Sequence, residues 1–215
     1  MNVGTMVNDN NTGVWHSDQN NDLVVEKYCY NNVAANCASY GGLYEWTEAV
    51  QVAVSNSNAV VGGAWESCDP CGSGGRQGIC PNGYHVPTDL EFSRYEWCVE
   101  NNIAPAGSTA LSTFQSNTLW RGSNTTAGPG YKMKASSSNT PSWDGSNASG
   151  FTALPAGYRY NPGGFNLLGS TAYFWTAKEN TAPYAWCRYL GTGNFQSYRV
   201  YTYKTNGFSV RCLQN

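Results

Sequence analysis

Tyr173 to Leu213 reads YFWTAKENTAPYAWCRYLGTGNFQSYRVYTYKTNGFSVRCL, and this stretch decides the fold. Short runs alternate in residue type, with Gly, Asn, Pro and Ser at the breaks. That is the pattern of short strands joined by tight loops. Within one run, Tyr184, Trp186, Arg188 and Leu190 fall on one face, and Ala185, Cys187 and Tyr189 on the other. In the last run Phe208, Val210 and Cys212 oppose Ser209 and Arg211. One face of each run is expected to be core. The other offers Tyr, Thr, Asn, Gly and Cys, which have no packing reason to be there.

Working outward, the chain has 215 residues, of which only 12% are charged, and 8 Trp, 15 Tyr and 7 Phe. The aromatics can bury a large apolar area, so the chain is loop-rich but not disordered. Residues 1–144 hold thirteen acids and six bases, net −7, and residues 145–215 hold Glu179 and six bases, net +5. The bases of the C-terminal part are spread singly through strands, which argues for pairing with acids elsewhere in the fold and against a nucleic-acid patch. Eight cysteines favour an oxidising compartment, hence an extracellular or cell-surface location. No apolar run is long enough for a membrane span. No signal peptide is recognisable, and Met1 leads into Asn2-Val3-Gly4 like a strand entered mid-stride, so a longer precursor is expected.

A single domain over 1–215 is expected. Residues 1–39 would supply an N-terminal strand at Val3–Val7, a second at Val24–Tyr30, and a polar loop closed by a Cys29–Cys37 disulfide. Leu43, Trp46, Val50 and Val54 recur at helical spacing, which predicts a helix over Tyr44–Ser55. Thr88 followed by Glu91 is a capping box, and Asp89 suits the first turn, so a helix is predicted from Asp89 to Glu100. Residues 102–149 read as a loop-rich insertion with a short strand at Tyr131–Ala135, anchored by Trp120 and Trp143. Residues 150–215 carry the closing strands. The sequons at Asn10, Asn124 and Asn147 indicate exposed loops.

Several segments, in order, carry a resemblance: GGLYEWTEAV, ICPNGYHVPTDLEF, KMKAS with Trp143 downstream, SGFTALPAGYR, AYFWTAKEN, AWCRYL and GFSVRCL. From about residue 40 onward the chain resembles the Fibrobacter succinogenes major paralogous domains. That resemblance implies an α+β, C-type lectin-like fold of the formylglycine-generating-enzyme branch, with two helices packed on small antiparallel sheets and a large share of loops. The chain also looks like the variable proteins of diversity-generating retroelements, of archaeal or uncultivated-lineage type. Their C-terminal codons are rewritten by error-prone reverse transcription. The resemblance implies a ligand-binding display protein whose candidate variable positions are Thr176, Tyr184, Cys187, Tyr189, Gly191, Asn194, Phe195, Tyr198, Val200, Tyr201 and Tyr203. Mutation of adenine-rich Asn codons cannot yield Lys, Glu or Trp, so Trp175, Glu179, Trp186 and Lys204 would be scaffold. Tyr, Ser, Gly and Asn are also what binding loops favour, because Tyr gives rigid contact area at little entropy cost. Cys80 and Cys212 stand in two of the family segments and are expected to pair.

The chemistry-bearing residues are weighed against plainer readings. Cys187 as a nucleophile would need a base, and only His16 and His85 exist. The cysteine pair of formylglycine-generating enzymes has no matching flanks here. Cys68, Cys71, Cys80 and His85 begin like a zinc site but lack the usual second pair, so disulfides among Cys68, Cys71 and Cys98 are favoured over zinc. No EF-hand loop and no lectin sugar triplet is present, while a structural calcium ion held by loop carbonyls stays open. Glycosidase chemistry needs two facing carboxylates, and the upstream acids are expected to be solvated on helices. No serine-hydrolase elbow occurs. The expectation is a monomer without enzymatic activity or cofactor, recognising a protein or cell-surface ligand. The alternative is a carbohydrate-binding module of a larger envelope or polysaccharide-degrading protein.

Overall fold

A computed structural model describes residues 1–10, 19, 24–52 and 76–215. The strands are β1 (Thr5–Met6), β2 (Glu26–Lys27), β3 (Tyr84–His85), β4 (Leu119–Arg121), β5 (Tyr158–Arg159), β6 (Phe165–Asn166), β7 (Thr171–Thr181), β8 (Tyr184–Gly191), β9 (Ser197–Tyr203) and β10 (Leu213–Gln214). The helices are α1 (Ala34–Tyr40), α2 (Trp46–Ala49), α3 (Asp89–Asn102), α4 (Leu111–Ser116) and α5 (Pro129–Met133). The central element is a four-stranded antiparallel sheet in the order β4-β9-β8-β7. Around it lie three two-stranded pairs, β1-β2 (parallel), β3-β10 and β5-β6. The fold is thus α+β. No helix among the described residues is long and apolar enough to cross a membrane.

α3 forms where the capping box requires it. The Thr88 hydroxyl accepts from Glu91 N at 3.1 Å, and the Glu91 carboxylate accepts from Thr88 N at 2.8 Å. At its other end the Lys132 ammonium donates to the carbonyls of Val99, Glu100 and Ile103, which satisfies backbone acceptors left open by the last turn.

One core gathers Trp46, Val86, Trp175, Cys187, Phe208 and Val210 on one face of the sheet. A second gathers Phe92, Met133, Trp143, Phe174 and Leu190 towards α3. Two indoles tie the α2 segment to β7: Trp46 donates to Thr176 O and Trp175 to Tyr44 O, both at 2.8 Å. The Cys29–Cys37 and Cys80–Cys212 disulfides are both present.

Five expectations are corrected. The Cys29–Cys37 segment is not an open loop, because a 3₁₀ turn (Tyr30–Asn32) leads into α1. The helix after Gly42 is a single turn, α2, and residues 53–55 lie outside the described part. Tyr131–Ala135 is not a strand: α5 occupies most of it, with Pro129 at its start. Glycines let this helix approach the β8–β9 connection, since a Cβ on Gly128 would lie 2.3 Å from Phe195 O and one on Gly130 2.1 Å from Gln196 O. Cys98 is a free, exposed thiol rather than a disulfide partner, while Cys68 and Cys71 lie outside the described residues. Finally, the helical acids are not solvated: Asp89, Glu96 and Glu100 are all buried.

Those acids take up the C-terminal bases. Arg188 of β8 donates to Asp89 Oδ1 at 2.7 Å, to Ser93 Oγ at 3.0 Å and to Glu96 Oε2 at 3.3 Å. Arg199 of β9 holds Asp89 Oδ2 at 2.6 Å, and Arg121 of β4 pairs with Glu96. Three neighbouring strands are thereby keyed to one helix. Burial alone would raise the Asp89 carboxyl, but Arg188 and Arg199 hold it well below the usual carboxylate range. Arg159 binds Asp9 at 2.9 Å, and Lys204 pairs with Glu179.

Candidate functional site

The sheet presents two adjacent rows of side chains, one residue apart along every strand. Phe174, Arg188 and Arg199 are paired across β7, β8 and β9, and Leu119 continues the row on β4. Arg188 and Arg199 of this row are the ones that engage α3. The next row, Tyr173, Tyr189, Tyr198 and Trp120, is likewise in register across all four strands. Since alternate residues point to opposite faces, it lies on the other side.

This second row is an aromatic arc. Ring centroids are 4.9 Å apart for Tyr173–Tyr189, 5.8 Å for Tyr189–Tyr198 and 4.8 Å for Trp120–Tyr198. Tyr158 of β5 extends it, 5.0 Å from Tyr173. Together with Tyr160, Val200, Asn206 and Phe208 these rings line a groove of about 500 Å³. Trp120 and Tyr160 are 37% and 42% exposed, and the other four rings of the lining arc are half-buried. Among the described residues no lining side chain is charged. Burial raises the phenols of Tyr158, Tyr173 and Tyr189 above their ordinary value, so these three stay neutral through physiological pH.

The hydroxyls of Tyr158, Tyr173, Tyr189 and Tyr198 make no hydrogen bond to any described residue. The fully buried tyrosines behave differently. Tyr28 donates to Glu45 at 2.6 Å and Tyr44 to Val3 O at 2.9 Å. Half-buried rings with unengaged hydroxyls around one concavity are what a ligand seat needs: apolar area plus a few orienting polar groups.

The eleven candidate positions fall into four groups. Tyr189, Tyr198 and Val200 line the groove. Tyr184, Tyr201 and Tyr203 cluster with Trp186 on the opposite face, with Tyr201 46% exposed, 5.2 Å from Trp186 and also bordering the groove. Gly191, Asn194 and Phe195 form the β8–β9 turn. Its shape is set by backbone contacts from outside: Lys134 Nζ donates to Gly191 O and Asn194 O, Asp144 accepts from Gly193 N, and Tyr131 N donates to Phe195 O. Gly191 is itself buried, with the Tyr189 hydroxyl 2.5 Å from where its Cβ would stand.

Thr176 and Cys187 are the corrections. Both are fully buried, and neither belongs to a displayed face. The Thr176 hydroxyl donates to Trp186 O at 3.0 Å. Cys187 lies in the core with Trp175 and Phe208, where burial pushes its thiol far up. Half of each strand is not free, because both faces of the sheet are covered at its middle. The named scaffold residues Trp175, Trp186 and Lys204 are buried.

Three contributors were not foreseen. Tyr158 and Tyr173 are not among the candidate positions, and Trp120 read as an anchor of the insertion, yet Trp120 sits at the groove's lip on β4. Only the pairing register reveals them. Among the described residues no group of three His, Cys, Asp or Glu side chains could hold a metal ion.

The fold and groove define an α+β domain with an aromatic groove on its C-terminal sheet. The family model of the Fibrobacter succinogenes major domain matches residues 4–214, and the chain belongs to that family. Comparison with curated proteins and with solved structures finds no match.

Proposed function

We propose that this is a non-enzymatic binding protein, secreted or displayed at a cell surface, that recognises a protein ligand through the aromatic groove. The observation that carries this reading is the set of four tyrosine hydroxyls, around one cavity, that make no hydrogen bond to any described residue. Rigid aromatic anchors ringed by small polar groups are efficient binding elements. A C-type lectin-like fold, with the C-terminal face rewritten by a retroelement of archaeal or uncultivated-lineage type, accords with the family resemblance. It also accords with a turn whose backbone is held independently of its side chains. An enzymatic reading of the formylglycine-generating kind is disfavoured, since Cys212 is consumed in a disulfide and Cys187 is sealed.

Two experiments test the reading. A library varied at Tyr189, Tyr198, Val200, Asn194 and Phe195 should stay folded while changing partner choice, whereas general loss of folding would refute it. For diversification, the neighbouring DNA should hold a near-copy of the C-terminal coding segment, differing at adenines, beside a reverse transcriptase gene.

The exposed Trp120 beside tyrosine faces favours a second reading, a carbohydrate-binding module. Saturable glycan-array binding that Trp120→Ala abolishes would select it.

A further inference from the structure

We propose that the cavity between α3, the Phe151 segment and the C-terminal residues binds a small aromatic carboxylic acid, with Arg211 holding its carboxylate. This cavity shares no lining residue with the aromatic groove, so it stands or falls apart from the reading above.

The first support is the state of Arg211. Arg121, Arg159, Arg188 and Arg199 each hold a buried Asp or Glu. Arg211 holds no carboxylate among the described residues. Its one hydrogen bond runs from Nη2 to Thr152 O at 2.6 Å, although a guanidinium carries five N–H donors. Its Nε and Nη1 are bonded to no described residue and are not sealed from solvent. Burial lowers the group from its ordinary value, as it does for a cation short of both water and a counter-charge.

The second support is where that guanidinium stands. It lies 4.8 Å from the Phe151 ring centre, and its charge acts on Tyr95. Both residues line a cavity of about 230 Å³, together with Pro87, Phe92 and Arg211 itself. The Phe92 and Tyr95 rings are 6.1 Å and 5.6 Å from that of Phe151. The wall is therefore largely apolar, with one under-used cation on it. A cavity of about 150 Å³ takes a benzene ring. The space here suits one ring and its carboxylate and little more.

The third support is the charge the site will accept. Glu91 also lines the cavity, but its carboxylate accepts from Thr88 N and Thr88 Oγ at 2.8 Å and 2.9 Å and stands 3.1 Å from His85 Nε2. It forms no ion pair with Arg211. A fixed negative charge on the wall disfavours a dianion such as phosphate, so a monoanion is the better guest. The planar fork of an arginine matches a carboxylate.

The test titrates benzoate into the full chain and follows the Arg211 Nε–H and Phe151 ring resonances. The comparators are benzamide, its neutral near-isostere, acetate, which has the charge without the ring, and N-acetyl-phenylalanine, which carries both groups on a peptide end. Benzoate should saturate the signals, and benzamide should bind about ten- to hundredfold more weakly without moving the Arg211 Nε–H. Acetate should also be weaker, by about tenfold or more. Arg211→Gln should bring benzoate down to the level of benzamide. The Nε–H response of the parent decides the matter if that variant does not fold. Benzamide or acetate binding as tightly as benzoate, undiminished benzoate binding by Arg211→Gln, or no response to benzoate would each overturn the proposal. Tighter binding of N-acetyl-phenylalanine than of benzoate would assign the cavity to a chain terminus and overturn the small-acid reading.

Discussion

Two rows of side chains, one residue apart on the same sheet, are finished in opposite ways. Arg188 and Arg199 are buried and fully engaged with Asp89, Ser93 and Glu96 of α3. Tyr189 and Tyr198, their immediate neighbours, are half-buried, and their side chains make no hydrogen bond to any described residue. The first row closes the fold, since buried charges are tolerable only when paired. The second row contributes ring contacts to its own stability and leaves its polar groups to the outside. The contrast teaches that the two faces of one sheet differ both in exposure and in whether their polar groups are met by described residues.

The comparison can be broken most forcefully from the engaged row. Asp89→Ala leaves Arg188 and Arg199 without their shared carboxylate and should cost about 3–5 kcal/mol in denaturant unfolding. A loss below about 1 kcal/mol would mean the row is not what closes the fold. Removing the Cys80–Cys212 bridge with paired Ser substitutions should cost about 2–5 kcal/mol and lower the melting temperature. Lowering the pH sharpens the same point. The Asp89 carboxyl titrates lower in the folded chain than in the unfolded one. Its contribution is therefore complete above the ordinary aspartate pKa of about 4 and is lost as pH falls below it. An Asp89→Asn variant should show a flatter acid limb in a plot of stability against pH.

Much of the fold was legible from local signals. Thr88 and Glu91 announced α3, alternation announced β7, β8 and β9, and the excess of C-terminal bases implied partners upstream. The candidate site was legible in part. Tyr189 was found because it alternates with Arg188, and Tyr198 came with the family resemblance. Cys187 was misplaced because alternation tells which face a residue takes, not what covers that face, and Thr176 because the resemblance carries no information on burial. Trp46 and Phe208 supply the cover over Cys187, and both are distant in sequence. Trp120 was missed for the related reason that its neighbour Tyr198 is set by sheet pairing. Likewise α1 hides in a polar segment, AANCASY, with no capping side chain to announce it.

Smaller effects separate the two kinds of tyrosine. Tyr28→Phe removes the donor to the buried Glu45 carboxylate and should cost about 1–3 kcal/mol. The same change at Tyr189 or Tyr198 removes a hydroxyl that bonds no described residue, and should fall within about 0.5 kcal/mol of the parent.

The most direct measurement is therefore a side-by-side denaturant unfolding of the parent, the Tyr28→Phe variant and the Tyr189→Phe/Tyr198→Phe double variant at neutral pH. The account predicts a clear loss for Tyr28→Phe and a curve overlying the parent for the groove pair. A groove pair destabilised as much as Tyr28→Phe would show that those hydroxyls serve the fold, and the case for a ligand seat would be contradicted.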